Sequence, residues 1–476
     1  MKKLVFALLI SLFWVIFLWN FWEKDIYALG FNLTIWLLLI LAFLAKCVEK
    51  ENLWQRKNFV LLIPLLLIIF SYAIYDNAFI KVMNILIFPV LLTISLNYLL
   101  LEKRQEKFWS LTLLVRLIGR ILTPLSKLAS AGKSLHQILR IKSTKGKTLR
   151  RIILGLVVFL ILAMGLVIPL LSSVDALFEQ KLSGIIIFFE NIISLEIIFK
   201  IIIFYALALL LYAVFLAWSK PLEIPAEKNI KKETDSIVLG IVIGGTLLLY
   251  LLFLWIQFER IWVTGLPIEF KEVEVLVKSG FWQMLALSII NIAIFFFSYQ
   301  RTHKIVQGIL SIFTISSLLL LSSSAYRMFL YVTSYGLSYE KFFASYTIIF
   351  CIIMFIYLLI KVITRTRLNI FKFLTFLFIW MYAIVSILPS EQFILRTNIA
   401  LAQKENSRID LFESRMLSAD VLSYIDKYGT SDLLKINHKD GSQIDWSPWI
   451  AERKKIIAEK KWYELNLVNV LYLLKR

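Results

Sequence analysis

The sequence predicts an all-α integral membrane protein, a polytopic bundle of about eleven transmembrane helices followed by a small helical domain outside the cytoplasm. Three observations predict it. Of the 476 residues, 60% are hydrophobic, more than water-soluble domains usually contain. Apolar runs of about 20 residues recur, which is the length that a hydrocarbon core about 30 Å thick requires. Lysine and arginine concentrate in alternate connections between these runs.

The first apolar run, 4–19, follows Lys2 and Lys3 and could be a signal peptide. Aromatic residues, Trp19 and Trp22 among them, stand where a cleavage site would need small ones. We therefore interpret the run as an uncleaved first span with an interfacial aromatic belt. The other spans are predicted at residues 31–48, 59–75, 79–101, 152–171, 195–217, 237–257, 281–298, 305–326, 342–363 and 371–388.

Charge predicts the orientation of these spans. Connections rich in lysine and arginine stay in the cytoplasm, and with eleven spans every rich connection falls on one side. The N-terminus is then cytoplasmic and the C-terminus extracytoplasmic. The chain carries 52 basic against 32 acidic residues, a net charge of +20. Because the excess lies beside the spans, we expect anionic lipid head groups as its partner, and no nucleic acid.

Two segments are larger than loops. Residues 102–151 hold thirteen basic and two acidic residues, and part of the segment has apolar residues at helical spacing: Leu111, Leu114, Ile118, Ile121, Leu125 and Leu128. Such a helix is expected to lie in the head-group plane, where it could also bind a cytoplasmic protein. The tail is nearly neutral and reads as a small helical domain. The predicted units are 1–101, the four-span segment; 102–151, the basic segment; 152–389, a seven-span core; and 390–476, the tail.

Arg327 is the strongest candidate for a binding residue, because charged groups near a span are costly and are often functional. Tyr331 and Tyr335 follow at i+4 and i+8 and share its helix face, and Ser324 extends the polar stripe. This seam suits an anionic group. The structural alternative is that Arg327 reaches the outer head groups or pairs with a carboxylate. The possible partners are Asp175, Glu179, Glu190 and Glu196.

Other chemistry finds little support. The two cysteines and three histidines show no metal-ligand spacing, so neither a metal nor another cofactor is expected. The chain also lacks the short motifs of nucleotide binding and of metalloproteases. A membrane glycosyltransferase remains an alternative, with Glu23 and Asp25 as the acidic residues of its first outer loop.

Three motifs in the second half stand out. They read Tyr326-Arg327 … Tyr331 … Tyr335-Gly336-Leu337-Ser338 … Lys341, then Asp175-Ala176-Leu177-Phe178, then Asp410 with Leu417-Ser418-x-Asp420. Together they resemble an uncharacterised family of bacterial multi-pass membrane proteins, a domain of unknown function of the DUF4153/DUF4173 type. The resemblance runs from about residue 151 to the C-terminus.

This chain departs from the family pattern at several positions. It has Ala176 where similar sequences have proline, Ser338 and Lys341 where they have threonine and arginine, and Val421-Leu422-Ser423 where they have Ala-Val-Pro. The resemblance implies a location in the plasma membrane of a bacterium and a helical fold but no reaction.

The sequence leaves three functions open. The leading hypothesis is non-enzymatic binding or transport of an anionic or amphipathic solute or lipid at Arg327. The second is an envelope sensor or regulatory membrane protein with an outer sensing domain. The third is the glycosyltransferase.

Overall fold

The computed structural model describes residues 2–48, 56–100, 109, 113–139, 195–219, 235–261, 270–299, 303–365, 369–404, 409, 411–428 and 446–474, with isolated positions at 155, 159 and 162. All regular structure in these ranges is helical. The main helices are α1 (Lys2–Phe17), α2 (Phe31–Ala45), α3 (Arg56–Ile74), α4 (Ala78–Leu99), α5 (Leu113–Leu139), α6 (Leu195–Trp218), α7 (Ser236–Ile261), α8 (Phe270–Ser298), α9 (Lys304–Tyr335), α10 (Tyr339–Thr364), α11 (Ile370–Ile387), α12 (Ser390–Ala402), α13 (Leu422–Tyr428), α14 (Ser447–Ala458) and α15 (Leu467–Leu474).

Seven of these helices are long and apolar enough to cross a membrane: α4, α6, α7, α8, α9, α10 and α11. α1 and the segment Phe21–Ala28 form a bent pair, with an angle of 44°, that counts as an eighth if it is one span. The apolar helices Phe31–Ala45 and Phe59–Ile74 are shorter. The 15 residues of α2 rise only about 22 Å, less than the hydrocarbon thickness. The predicted span 152–171 lies outside the described residues. The structure thus supports a multi-span membrane protein with seven or eight spans in its described part, where the sequence predicted about eleven.

The membrane-crossing helices pack largely as two groups that share α11, and a further hydrophobic cluster is formed by the tail and includes Leu337. One hydrophobic cluster joins α1, α2, α3, α4 and α6, and Ile379 and Ala383 of α11 belong to it. A second joins α7, α8, α9 and α10, with Phe373 and Leu377 of α11 packed against it. Large apolar side chains on the outer faces stay exposed, such as Ile241 and Leu248 of α7 at 70% and 69%. Such faces are what lipid-facing helices present, because lipid rather than water surrounds them.

The connections between helices gather at two ends of the bundle. At one end, four connections contact the tail (residues 390–476) or lead into it. They are the connections after α1, α3, α9 and α11. At the other end, Cys47 after α2 contacts the Phe215 carbonyl of α6, and Asn369 before α11 bonds the Trp109 carbonyl. This alternation matches the alternation that the lysine and arginine pattern predicts. Which end faces the cytoplasm stays a prediction from charge.

The basic amphipathic segment forms a 27-residue helix, α5, which continues through Pro124 and packs alongside α6. Arg120 faces the bundle, where its Nε donates to Asn97 Oδ1 at 2.7 Å and its carbonyl accepts from the Trp218 indole. The predicted apolar face remains uncovered, since Ile118 and Leu125 are 59% and 57% exposed. The uncovered face is compatible with lipid contact, and the expected binding of anionic head groups stays a prediction.

Candidate functional site

A buried cluster of charged side chains lies where the tail meets the bundle. Its centre is Asp76, in the short turn that joins α3 to α4. Asn77 fixes this turn, because its side chain caps α4 by accepting the Ile80 N–H at 3.0 Å and donates to Ser390 of α12 at 3.1 Å. The Asp76 side chain is therefore held at the end of the bundle that contacts the tail.

Asp76 binds two lysines that come from distant parts of the chain. Lys81, one turn into α4, lies 2.7 Å from Asp76 Oδ1, and Lys460, which follows α14, lies 2.5 Å from Oδ2. All three side chains are 3% exposed or less. Burial opposes the ionised carboxyl, but the two ammonium groups outweigh it, so the pKa of Asp76 is lowered. Burial lowers the pKa of Lys460.

Two further acids of the cluster belong to the tail. Glu391, in the first turn of α12, accepts the Tyr339 hydroxyl on one oxygen and the Ser418 hydroxyl and N–H on the other. Burial raises the pKa of Glu391 although these hydrogen bonds oppose the shift. The carboxyl thus joins α10 to the segment that contains Asp420.

Asp420 lies in the one-turn 3-10 helix Ala419–Val421. Its Oδ2 accepts the Asp76 backbone N–H at 2.7 Å, and its Oδ1 is buried without a hydrogen-bond partner. Burial raises the pKa of Asp420 well above its usual range, and the carboxylates of Glu391 and Asp76 act in the same direction. An acid with a raised pKa thus lies beside one with a lowered pKa, a contrast that is common at functional sites.

A cavity adjoins these acids. It has a volume of about 10 Å³, which is close to the space that one water molecule needs. The tail contributes Glu391, Gln392 and Asp420 to its walls, and the chain between α3 and α4 contributes Tyr75 and Asn77. The cavity is thus about the size of one water molecule, and two acidic residues are among those that line it.

Backbone contacts fix a second part of the same junction. The N–H groups of Phe31 and Asn32 donate to the carbonyls of Leu465 and Tyr463 at 3.0 and 2.8 Å. Gly30 precedes this pair, and a Cβ added there would stand 2.3 Å from the carbonyl oxygens of both Glu464 and Leu465. Only glycine lets the chain between α14 and α15 pass so closely over the start of α2.

A third contact holds the turn between α9 and α10. Asn398 of α12 accepts the Leu337 N–H at 2.6 Å and donates to the Leu337 carbonyl at 2.9 Å. Gly336 in this turn has φ 74° and ψ 170°, a region that is essentially open to glycine alone. The predicted family motif around Gly336 is thus a binding surface for the tail.

The predicted tyrosines lie beside this turn and are closed off. Tyr331 and Tyr335 are 1% and 8% exposed, and their rings are 5.6 Å apart. The Lys341 ammonium lies 4.3 Å from the Tyr331 ring and donates to the carbonyls of Tyr335 and Gly336 at 3.1 and 2.7 Å. Lys341 therefore serves as the C-terminal cap of α9.

Arg327 and Ser324 are half-buried on α9. Three of the predicted charge partners, Asp175, Glu179 and Glu190, lie outside the described residues. The fourth, Glu196, pairs with Lys200 on α6 at 2.5 Å and its side chain is half exposed. A ligand-binding role for Arg327, Tyr331, Tyr335 and Ser324 stays a prediction.

Polar side chains also meet inside the bundle. Asn84, one turn below Lys81, accepts the Tyr382 hydroxyl at 2.6 Å and donates to the Ser71 hydroxyl at 2.8 Å. In the second helix group Asn291 binds Tyr250 and also donates to Ser317 at 3.0 Å. These bonds hold helices to one another, as polar groups between membrane helices commonly do.

Sequence reasoning missed most of the charged cluster. Asp76, Lys81 and Lys460 have no motif around them, and Asp420 entered only through the family resemblance. One signal was available: Asp76 lies just before the predicted span 79–101 and Lys81 lies in its first turn, five residues on, and isolated charges at such positions are costly. Within the described ranges, no group of three or more histidine, cysteine, aspartate or glutamate side chains is arranged to hold a metal ion.

One family model matches the chain. It carries the description "Domain of unknown function (DUF4153)" and matches residues 62–428, more than half of the 476 positions. No curated protein and no solved structure matches. The resemblance drawn from the motifs is confirmed, with a different extent: the match begins within α3, well before residue 151, and ends at Tyr428. The matched region includes Asp76, Lys81, Glu391 and Asp420.

Proposed function

The chain belongs to the DUF4153 family, a domain of unknown function, and we propose that it is a non-enzymatic membrane sensor whose tail closes over the outer ends of the helices. The signal that it senses would change how firmly the tail binds to the bundle. The observation that carries this proposal is the charged cluster of Asp76, Lys81 and Lys460, buried at that attachment.

The character of the junction favours a regulated contact over a permanently fused one. Buried ion pairs contribute little net stability compared with apolar packing, but they demand one specific geometry. Three separate connections of the bundle bind the tail by polar groups, at Asp76, at Phe31 and at Leu337. A junction of this kind holds firmly when every bond is made and weakens sharply when one is lost.

The transport hypothesis has less support in this conformation. It needs an open polar path to Arg327, whereas its neighbours Tyr331 and Tyr335 are buried and Lys341 covers the Tyr331 ring. The carboxylates that come together are those of Asp76, Glu391 and Asp420 rather than Glu23 and Asp25, on which the glycosyltransferase hypothesis rests. Binding at Arg327 remains a prediction with its own test.

A distance measurement between tail and bundle tests the proposal. Trp22, in the connection after α1, and Met416, in the tail, are 60% and 85% exposed and accept spin labels after Trp22→Cys and Met416→Cys substitution. The two native cysteines, Cys47 and Cys351, would be replaced. In lipid nanodiscs we expect one dominant short distance in the parent and a larger share of long distances after Asp76→Asn.

The matched control is Lys455→Met. Lys455 lies in the same tail helix region as Lys460, but its side chain is 76% exposed and its pair with Glu459 spans 3.9 Å. Its distance distribution should equal that of the parent. If Asp76→Asn also leaves one unchanged narrow distance, the tail is a fixed structural domain and the sensor proposal fails.

A further inference from the structure

The junction buries more negative than positive charge. Among the residues that the structure describes, five ionisable side chains from separate parts of the chain meet there, each 3% exposed or less: Asp76, Lys81, Glu391, Asp420 and Lys460. Three acids face two bases, so full ionisation leaves one negative charge without a counter-charge. Burying such a charge costs several kcal/mol even after relaxation. The cluster is therefore one positive charge short.

Hydrogen bonding shows which acid lacks a partner. Asp76 uses both oxygens on lysines. Glu391 uses both oxygens on the donors of Tyr339 and Ser418. Asp420 uses only Oδ2, while its buried Oδ1 has no partner. Asp420 is therefore the acid at which an additional positive charge would be bound.

We propose that Asp420 is a proton-binding site: a proton on its free carboxyl oxygen completes the charge balance of the junction, and loss of that proton loosens the tail. This inference rests on the proposed sensor function, for which it names the ligand. The chemistry is a single reversible proton transfer. When the proton is lost, the O–H bond of the carboxyl breaks and the proton passes to water.

The neighbouring groups act on this proton from every side. Asp76 in the turn before α4 and Glu391 on α12 attract it, and the ammonium groups of Lys81 and Lys460 repel it. Tyr339 of α10 takes part indirectly, since it donates to Glu391. Burial and the two acids outweigh the lysines, so the pKa of Asp420 is raised, in agreement with the geometry.

A small cavity adjoins the proposed proton site. It is lined by both Asp420 and Glu391 and has room for about one water molecule. A small monovalent cation would fit a similar volume, which makes it the alternative that the experiment must separate.

The sign of the pH effect follows from linkage. A carboxyl whose pKa is raised in the closed state stabilises that state below the pKa of the open state, and the contribution is lost as the pH rises toward the closed-state pKa. Asp76, with its lowered pKa, acts oppositely and favours closure once it is ionised. The tail should thus be held most firmly at mildly acidic pH and should open as the medium becomes more alkaline.

Infrared difference spectroscopy of the unmodified protein in nanodiscs tests the proton directly. A protonated carboxylic acid has a carbonyl band distinct from that of a carboxylate. We expect such a band at mildly acidic pH, its loss on raising the pH, and its absence in Asp420→Asn. If the unmodified protein shows no titrating acid band, the proposal is overturned. It is equally overturned if the band survives in Asp420→Asn and disappears in Glu391→Gln.

The same label pair on Trp22 and Met416 connects the proton to the tail. Between the open-state and the closed-state pKa of Asp420, the ratio of open to closed tail should rise about tenfold per pH unit in the parent, and above the closed-state pKa it should level off. Asp420→Asn, which mimics the neutral acid, should flatten that response. Asp426→Asn is the control, because Asp426 is a partly exposed tail acid paired with Lys454, and its pH response should equal that of the parent.

Two further outcomes separate the alternatives. Replacing sodium and potassium by choline leaves a proton site unchanged, so a displaced midpoint would overturn the proton in favour of a metal cation. If the infrared band titrates as expected while the tail distance stays constant, the proton site stands and the sensor proposal fails. If the tail opens with pH in Asp420→Asn as it does in the parent, the sensor stands and the proton site fails.

Discussion

Removing the carboxylate of Asp76 should open the junction between tail and bundle. Asp76→Ala leaves the ammonium groups of Lys81 and Lys460 buried together with no shared counter-ion, where each side chain is 2–3% exposed. Breaking a buried ion pair by deleting one partner costs about 3–5 kcal/mol. Lys460→Met should cost less, about 1.5–3 kcal/mol, because Asp76 keeps Lys81 as its partner and only one charge-assisted hydrogen bond disappears.

Hydrogen exchange with mass spectrometry measures these losses locally. The free energy of opening appears as the protection of amides in the tail helix Ser447–Ala458. A loss of 3–5 kcal/mol corresponds to exchange that is roughly 150- to 5000-fold faster. Lys455→Met, on the exposed face of the same helix, should leave the rates unchanged. If Asp76→Ala accelerates exchange no more than this control does, buried pairing does not hold the tail.

A triple variant separates charge from shape. Asp76→Leu combined with Lys81→Met and Lys460→Met removes all three charges while keeping similar volumes. Because apolar replacement of a whole buried ionic group is often neutral, exchange should return most of the way toward the parent rate. A triple variant as unprotected as Asp76→Ala would mean that the loss came from packing rather than from unpaired charge.

Three further changes test other contacts. Gly30→Ala places a Cβ against the carbonyl of Leu465 and should cost about 3 kcal/mol of stability, seen as a lower unfolding temperature in detergent. A drop no larger than that of an exposed glycine substitution, Gly119→Ala, would contradict this. Asn398→Ala leaves the N–H and carbonyl of Leu337 without their partners, at a cost of about 1–3 kcal/mol, and should make exchange in that turn roughly 5- to 160-fold faster. Arg327→Ala should weaken binding of anionic lipid in a nanodisc without unfolding the bundle, and unchanged binding would remove Arg327 as a contact residue.

The helical fold was predictable because the solvent dictates it. Long apolar runs need a helix to satisfy their backbone in lipid, so run length alone locates α4 to within a few residues of the predicted span. It also locates the start of α9, but that helix continues to Tyr335, well beyond the predicted end at residue 326. Run length does not reveal that α2 stops at Ala45, three residues before the predicted end. The span that run length predicts at residues 152–171 stays a prediction, because the structure describes only isolated positions there.

The candidate site was not predictable, for a physical reason. Its charges come together only through tertiary contacts, and Asp76 and Lys460 are 384 residues apart in sequence. Each lysine alone reads as an ordinary interfacial cation. Arg327 drew attention because serines and tyrosines surround it locally, whereas Asp76 has its partners on other elements. Periodicity reports neighbours on one helix and is silent about neighbours that fold back from the far part of the chain.

The close passage of residues 463–465 over Gly30 sets an order of events during biosynthesis. Asn20 of the first connection and its partner Glu464 are separated by 444 residues. At ribosomal speeds of about 5–20 residues per second, the first hairpin would wait roughly 20–90 s for its cover. During that interval the N–H groups of Phe31 and Asn32 must be satisfied by water or by a chaperone. A premature stop codon before residue 463 would therefore first affect the N-terminal helices, which are the earliest to enter the bilayer.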